Sequence, residues 1–452
     1  MVMRPILLKE WSSLLLDIDI PCSGKKVTGV AIDSRLVLPG DVFFALPGNR
    51  TTGHLFLKQA AQSGAVAAVV ASDYRGPDYG LQLLHVADPR EALRAAGRTQ
   101  GALFHGEVIG ITGSVGKTTT KSFTQQLLSP FYKVFASPKS YNSQLTLPLS
   151  ILTADGDEDF LVLEMGVSEP NNMKDLLDVI EPSIGVITHI DVQHAMNFVD
   201  KGAQGIAEEK SLLLERCGIH LLPRDSSWFN FFMKKNAAAD QFSFSMNNET
   251  ADFYYRAIHS EGVLISAPDG DIELPVVFPY TPAYMNFIIA VALAWLTNVP
   301  MDRLEQASQS LFLPSMRFEQ QEHNGIRIIN DAYNASPDAM LAALDAVPIP
   351  SEGGKTVFIL GHMAELGRYS DECHIAVARK AVTKAHVVFF VGEKWSPVRE
   401  VVSDANCQIE FYGSVSEIMH VVKSLVRRGD VVLLKGSRSL ELETLLPCFS
   451  IS

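Results

Sequence analysis

Cysteine is scarce and poorly placed for structural work. The chain has five, Cys22, Cys217, Cys373, Cys407 and Cys448, far apart and in no CxxC pair. That excludes a zinc ribbon or a disulfide framework and fits thiols in a reducing compartment. Long apolar runs are also missing. The strongest candidate, Phe287 to Leu296, has the length of a buried helix and not of a membrane span. The first residues lack the charged-then-apolar layout of a secretory leader, so cytoplasm is the expected location. Positive charge is in deficit, with a net charge of −13. A broad polyanion-binding face is therefore excluded, and nucleic acid is not an expected partner. An anionic nucleotide would have to be held by local devices: backbone N–H groups, single lysines and metal ions. There is no internal repeat, low-complexity tract or long charge run.

What is present is a globular composition, with 47% hydrophobic and 20% charged residues over 452 positions. This length implies about two to four domains. The segment from Val27 to about Val70 mixes short apolar runs with the turns Pro39-Gly40-Asp41, Pro47-Gly48-Asn49 and Thr52-Gly53-His54. The pattern predicts a helix from Leu55 to Ser63, with Leu55, Ala60 and Ala61 on one face, then a strand from Ala67 to Ala71. This first module ends near Phe104. From Glu107 the pattern changes to apolar strands alternating with helices. Strands are expected at Val108–Ile111, Phe160–Leu163 and Ile184–Ile187, and a helix at Thr118–Leu128. A third block from about Pro314 holds four more apolar runs, at Ile326–Ile329, Thr356–Leu360, Val387–Val391 and Val431–Leu434. Such alternation predicts parallel sheets with active residues at their C-terminal edges.

Thr112-Gly113-Ser114-Val115-Gly116-Lys117-Thr118-Thr119 lies between a predicted strand and a predicted helix, the place of a phosphate loop. Glycines let successive N–H groups face one anion at a helix N-terminus. Lys117 can reach terminal phosphates, and the Thr118 hydroxyl is placed to ligate magnesium. Position 111 is Ile where the common pattern has glycine, and Gly113 supplies the turn. Such a loop alone fits a kinase, a GTPase, a motor or a ligase. Glu164 ends the next strand, well placed to hold magnesium. Thr188-His189-Ile190-Asp191-Val192-Gln193-His194 follows the strand after that, and Ile206 to Leu213 reads as a helix carrying Lys210.

With this set, the sequence resembles the Mur ligase superfamily, and within it the branch that adds D-alanyl-D-alanine to a UDP-N-acetylmuramoyl tripeptide. Further stretches carry the resemblance. They are Asp33-Ser34-Arg35, the run Pro39 to Leu46, Gly53-His54, Asn330-Asp331-Ala332-Tyr333-Asn334-Ala335-Ser336-Pro337, and Lys435-Gly436-Ser437-Arg438. The resemblance covers essentially the whole chain. It implies ATP as cosubstrate and two magnesium ions, one on Thr118 and Glu164, the other on His194 and a carbamylated Lys210. It also implies nucleotide contacts from Gly113 to Thr119, adenine at Asn286, phosphate at Arg317, ribose at Asp331 and a nucleotide border at Asn334. Substrate contacts are implied for Ser34, Arg35, Asn142, Lys435, Ser437 and Arg438, with Lys117, Glu164, His194 and Lys210 as the catalytic set. Three departures stand out. Pro282-Ala283 replaces a His-Asn pair, Thr146 replaces a glycine, and His362 in Gly361-His362-Met363-Ala364-Glu365-Leu366-Gly367 replaces an acidic residue.

The expectation is thus an α/β chain of three domains working as a monomer. Residues 1–105 would form a small mixed α/β module for the UDP-muramoyl peptide. Residues 106–314 would form a central P-loop-type ATPase domain with a parallel sheet, and residues 315–452 a C-terminal Rossmann-like ligase domain. The competing readings are another amide ligase of the superfamily, a small-molecule kinase, and a nucleotide-gated binding protein without catalysis. The Tyr333-Asn334 run argues against the first. The C-terminal block, unexplained in a kinase, argues against the second, and the intact Lys117, Glu164, His194 and Lys210 set against the third.

Overall fold

The computed structural model describes residues 3–15, 24–48, 51–199, 201–259, 262–403 and 405–450. Cys22 and Asn49 of the Pro47-Gly48-Asn49 turn lie outside them. Three main sheets account for the described strands, together with a short ribbon pairing Ile6–Leu7 with Lys26–Val27.

The first sheet has four parallel strands in chain order, Gly29–Ala31, Asp41–Phe44, Ala67–Ala71 and Gln82–Val86. Alternate side chains enter two cores. Val42 and Phe44 pack with Leu93 and Ala96 of helix Pro89–Ala102, whereas Phe43 and Ala45 pack with Leu57 and Ala60. The predicted helix is shorter than its pattern suggests. Gly53–Phe56 forms a tight 3-10 turn, and the α-helix covers Leu57–Gln62. Leu55 therefore does not share the buried face and is 72% exposed, while Leu57 fills that place.

The second sheet has nine strands. At its centre Glu107–Thr112 lies between Phe160–Glu164 and Ile184–Ile187, all parallel. Each of these strands is buried along its length, apart from Glu107, which is why each reads as an unbroken apolar run. Helices Lys117–Leu128 and Thr281–Leu296 pack in one core through Phe123, Leu127 and Phe287. The second helix is apolar nearly all round, as a fully buried helix must be, and Pro282 sits in its first turn, where a missing N–H costs nothing. An antiparallel extension, Phe253–His259, Gly262–Ala267 and Gly270–Leu274, continues the sheet edge.

The third sheet has six strands in the order Glu319–His323, Ile326–Asn330, Val431–Lys435, Thr356–Gly361, Val387–Val391 and Gln408–Tyr412. Only the first pairing is antiparallel. The register sets Asn330 beside Leu434 and Leu360 beside Lys435, so the turns after these strands share one edge. The expected α/β class with parallel sheets is observed.

Candidate active site

A cavity of about 1390 Å³ opens between the C-terminal edges of the second and third sheets. On the central side, parallel register brings the ends of three neighbouring strands together, and Glu107–Thr112 feeds the glycine loop into helix Lys117–Leu128. Gly113 and Gly116 have φ of 148° and 92°, which side chains rarely adopt. A Cβ on Gly116 would lie 2.4 Å from Asn286 Oδ1. The loop is fixed from below. Thr188 Oγ1 donates to Val115 O at 2.6 Å, and Asp191 N donates to Ser114 Oγ at 3.0 Å. Lys117 Nζ curls over it, donating to Gly113 O at 2.6 Å and Ser114 O at 3.2 Å. Burial pushes the Lys117 pKa down, with Glu164 opposing.

Glu164 is the hub. Thr118 Oγ1 donates to its Oε2 at 2.9 Å, Asn142 Nδ2 donates to its Oε1 at 2.7 Å, and Lys121 Nζ stands 3.5 Å from Oε2. Burial alone would raise the Glu164 pKa. Lys121, Lys117, the Asn142 hydrogen bond and Arg317 together outweigh it, so the carboxyl stays below its ordinary range. Ser140 Oγ also meets Thr118 Oγ1, at 3.0 Å. A threonine hydroxyl beside a carboxylate is a hard-oxygen pair suited to a small divalent cation. Among the described residues no group of three His, Cys, Asp or Glu side chains forms a complete metal cage. Any such ion would need ligands from a nucleotide and water as well.

Lys210 lies in helix Ala203–Ser211 and is 1% exposed. Its Nζ has one long contact, 3.5 Å to Val167 O. Burial, and then Lys117, hold its pKa well below that of a free lysine. His194, in a left-handed conformation with φ 69°, lines the cavity and pairs through Nδ1 with Glu365 of the third sheet's loops.

Across the cavity, Arg317 spans the gap. Its Nη2 donates to Thr118 Oγ1 at 3.2 Å, and its guanidinium stacks on Tyr333, 3.8 Å from the ring centroid. The neighbours Met316 and Phe318 both have φ 57°, and Phe318 stacks on Tyr280 at 4.5 Å. Asp331 accepts from Lys435 Nζ at 2.6 Å in a buried pair and from Phe318 N at 3.1 Å. Lys435 also donates to Asn334 O, and Ser437 Oγ accepts from Ala364 N at 2.8 Å. Arg438 pairs with Glu443 and borders the cavity. A second bridge joins the two sides, His189 Nε2 to Asp338 Oδ2 at 2.9 Å.

Most of the candidate residues thus converge. Asn286 is buried against the loop, its Oδ1 accepting from Thr120 Oγ1 at 3.2 Å. Ser34, Arg35 and Lys210 are not among the residues that line the cavity; Ser34 Oγ donates to Gln59 Oε1 at 2.8 Å, Arg35 pairs with Asp33, and Lys210 lies buried behind the lining residue Val167. Thr146 caps a local turn, its Oγ1 accepting from Ser143 N at 2.9 Å. Lys121, Ser140 and the His189–Asp338 bridge were not singled out from sequence, and Tyr333 was noted there only as a family mark, with no role at the site. Lys121 had a usable signal, since it stands one helical turn after Lys117 and so shares its face.

Family profiles match along the chain. Residues 111–294 match the Mur ligase middle domain, 316–438 the Mur ligase glutamate ligase domain, and 26–95 the Mur ligase family catalytic domain. The UDP-N-acetylmuramoyl-tripeptide–D-alanyl-D-alanine ligase of Mycobacterium tuberculosis H37Rv is 30% identical over 396 residues, 79% of this chain and 76% of its own. The chain belongs to the Mur ligase family. The enzyme of the same name from Treponema pallidum is 29% identical over 444 residues, 93% of each chain. Among solved structures, Thermotoga maritima MurF ligase in complex with ADP superimposes with a TM-score of 0.76 at 26% identity, covering 93% of this chain and 97% of that one. MurF from Acinetobacter baumannii shares the fold over the full length of both chains, with a TM-score of 0.82 at 23% identity. The three-sheet layout found here is therefore the Mur ligase fold.

Proposed function

We propose that this chain is an ATP-dependent ligase that joins D-alanyl-D-alanine to the peptide carboxylate of a UDP-N-acetylmuramoyl tripeptide, releasing ADP and phosphate. The observation that carries the reading is a single cavity with two unlike walls. One wall is a phosphate loop with the Thr118–Glu164 pair; the other is the Asp331–Asn334 and Lys435–Arg438 turns, with Arg317 reaching across. The relatives whose names state this reaction align over nearly the whole chain.

The loop N–H groups and Lys117 would hold the ATP phosphates, and Asn286, Asp331 and Asn334 would border its nucleoside. An oxygen of the substrate carboxylate attacks the γ-phosphorus, the bond to ADP breaks, and an acyl phosphate forms. The dipeptide amine then attacks the carbonyl carbon, phosphate leaves, and the amine's surplus proton passes to solvent. Magnesium, held by Thr118 and Glu164 and at a second position by His194 and Lys210, would supply neutralising charge on the phosphates. Lys210 fits that role as a carbamate. An uncharged amine is needed to bond with carbon dioxide and lose a proton, and burial favours the uncharged form. Asn142, which anchors Glu164, also lines the cavity, where it would meet the substrate.

In this reading residues 1–105 bind the UDP-muramoyl peptide, with Arg35 exposed and Ser34 buried against Gln59. Residues 106–314 bind ATP, and residues 315–452 complete the site. In this reading the working unit is a single chain and its compartment is the cytoplasm. No helix among the described residues is long and apolar enough to cross a membrane. The test is phosphate release with ATP, magnesium and a UDP-muramoyl tripeptide, with and without D-alanyl-D-alanine. Release that needs both, with a pentapeptide product by mass, supports the reading. Release indifferent to the dipeptide overturns it.

A further inference from the structure

The loop after strand Thr356–Gly361 grips both halves of the second candidate cation site. Met363 and Leu366 are fully buried in the core of the third sheet, and Ala364 N–H is tied to Ser437 Oγ at 2.8 Å. Between these anchors Glu365, with φ 62°, projects outward and pairs with His194 Nδ1. Two left-handed non-glycine residues thus face each other across the interface, a conformation that persists only where its surroundings enforce it. Their backbones also join, Met196 N donating to Glu365 O at 3.3 Å. The contact continues along the loop. A Cβ on Gly367 would lie 2.9 Å from Met196 Cα, and one on Gly202 would lie 2.7 Å from Tyr369 Oη. Gly202 opens the helix that carries Lys210. Residues 365–369 therefore brace the His194 turn and the Lys210 helix at once.

A carboxylate on one imidazole nitrogen fixes the proton there and leaves the other nitrogen as the lone-pair donor. We propose that Glu365 is a positioning residue that sets the tautomer and aim of His194, so that the second cation site is complete only when the C-terminal block is docked. The proposal rests on the two-cation reading given above. Glu365 touches neither nucleotide nor reacting atoms in this scheme and acts only through His194.

The test is a Mn²⁺ titration of the full chain, read by electron paramagnetic resonance with a non-hydrolysable ATP analogue present. Wild type should bind two ions. Glu365→Ala should keep the first affinity and weaken the second by about 10- to 100-fold. Glu365→Gln, which keeps the side chain's length beside Nδ1 but removes its charge, should fall between. A Glu365→Ala chain that binds the second ion like wild type overturns the proposal while leaving the ligase reading intact. Wild type binding a single ion would instead overturn the two-cation reading, and the proposal with it. Loss of the first ion in Glu365→Ala would mean a misfolded site, and Glu365→Gln then decides. A weakened second ion supports the role, and wild-type affinity overturns it.

Discussion

Replacing Glu164 by Gln tests whether its carboxylate is the anion that makes the buried cluster of cations tolerable. The side chain is 2% exposed and faces Lys121, itself 5% exposed, with Lys117 and Arg317 also acting on it. Gln keeps the Asn142 and Thr118 hydrogen bonds in some form but removes the charge. Breaking a buried pair by removing one partner destabilises by about 3–5 kcal/mol, mostly because the other charge is left uncompensated. Burial already lowers the Lys121 pKa, so it can shed its proton when Glu164 is gone. The expected loss is therefore at the lower end, about 3 kcal/mol. Urea unfolding without nucleotide at neutral pH measures it, and Glu164→Gln with Lys121→Met should recover a good part of it. Because the folded carboxyl titrates below its ordinary value of 4.5, its contribution is present above that pH and fades as pH falls through the lower, folded value. The gap between wild type and Glu164→Gln should close in acid. A variant within about 0.5 kcal/mol of wild type at neutral pH, with no recovery in the double variant, would refute the hub role.

Other consequences can be checked in parallel. Asp331→Ala leaves Lys435 buried without its partner and should destabilise the C-terminal block by about 3–5 kcal/mol, whereas Asp331→Asn should lose less; thermal unfolding separates them. Tyr333→Ala removes the ring under Arg317 and should lower kcat/KM for ATP by about 2- to 30-fold, while D-alanyl-D-alanine KM holds. Lys210→Ala should be nearly inactive and partly rescued by added short carboxylates, and full activity without rescue would rule out a carbamate there. Burial alone would lower the His189 pKa, but Asp338 and Asp191 outweigh it and the net shift is upward from 6.5. The bridge to Asp338 is therefore fully effective below pH 6.5 and weakens as pH rises through the shifted value. Small-angle scattering across that window should show the wild type loosening and Asp338→Asn unchanged.

Strands buried on both faces were legible because nothing polar interrupts them: Ile184–Ile187 and Val387–Val391 have the predicted limits. The glycine loop and Glu164 were legible for the same reason, each being a polar punctuation at the end of such a run. The antiparallel strands from Phe253 to Leu274 were not, since Arg256, Ser266, Asp271 and Glu273 break up their apolar runs and no helix separates them. Leu55 misled because an apolar residue one turn early looks like the start of a helical face, while Gly53 favours a tighter turn. Residues that act across the interface were the least visible. His189 and Asp338 are 149 positions apart, and only the docking of two sheets makes them neighbours. Glu365 lay in a run that had been noted, but its partner could not be read from local spacing.

The most direct measurement labels the tripeptide carboxylate with ¹⁸O and follows the label through one turnover with ATP and D-alanyl-D-alanine. Attack of the carboxylate on the γ-phosphorus leaves one labelled oxygen in the released inorganic phosphate and one in the new amide. That is the expected result. Unlabelled phosphate, or label carried away in AMP, would contradict an acyl-phosphate ligase at this site.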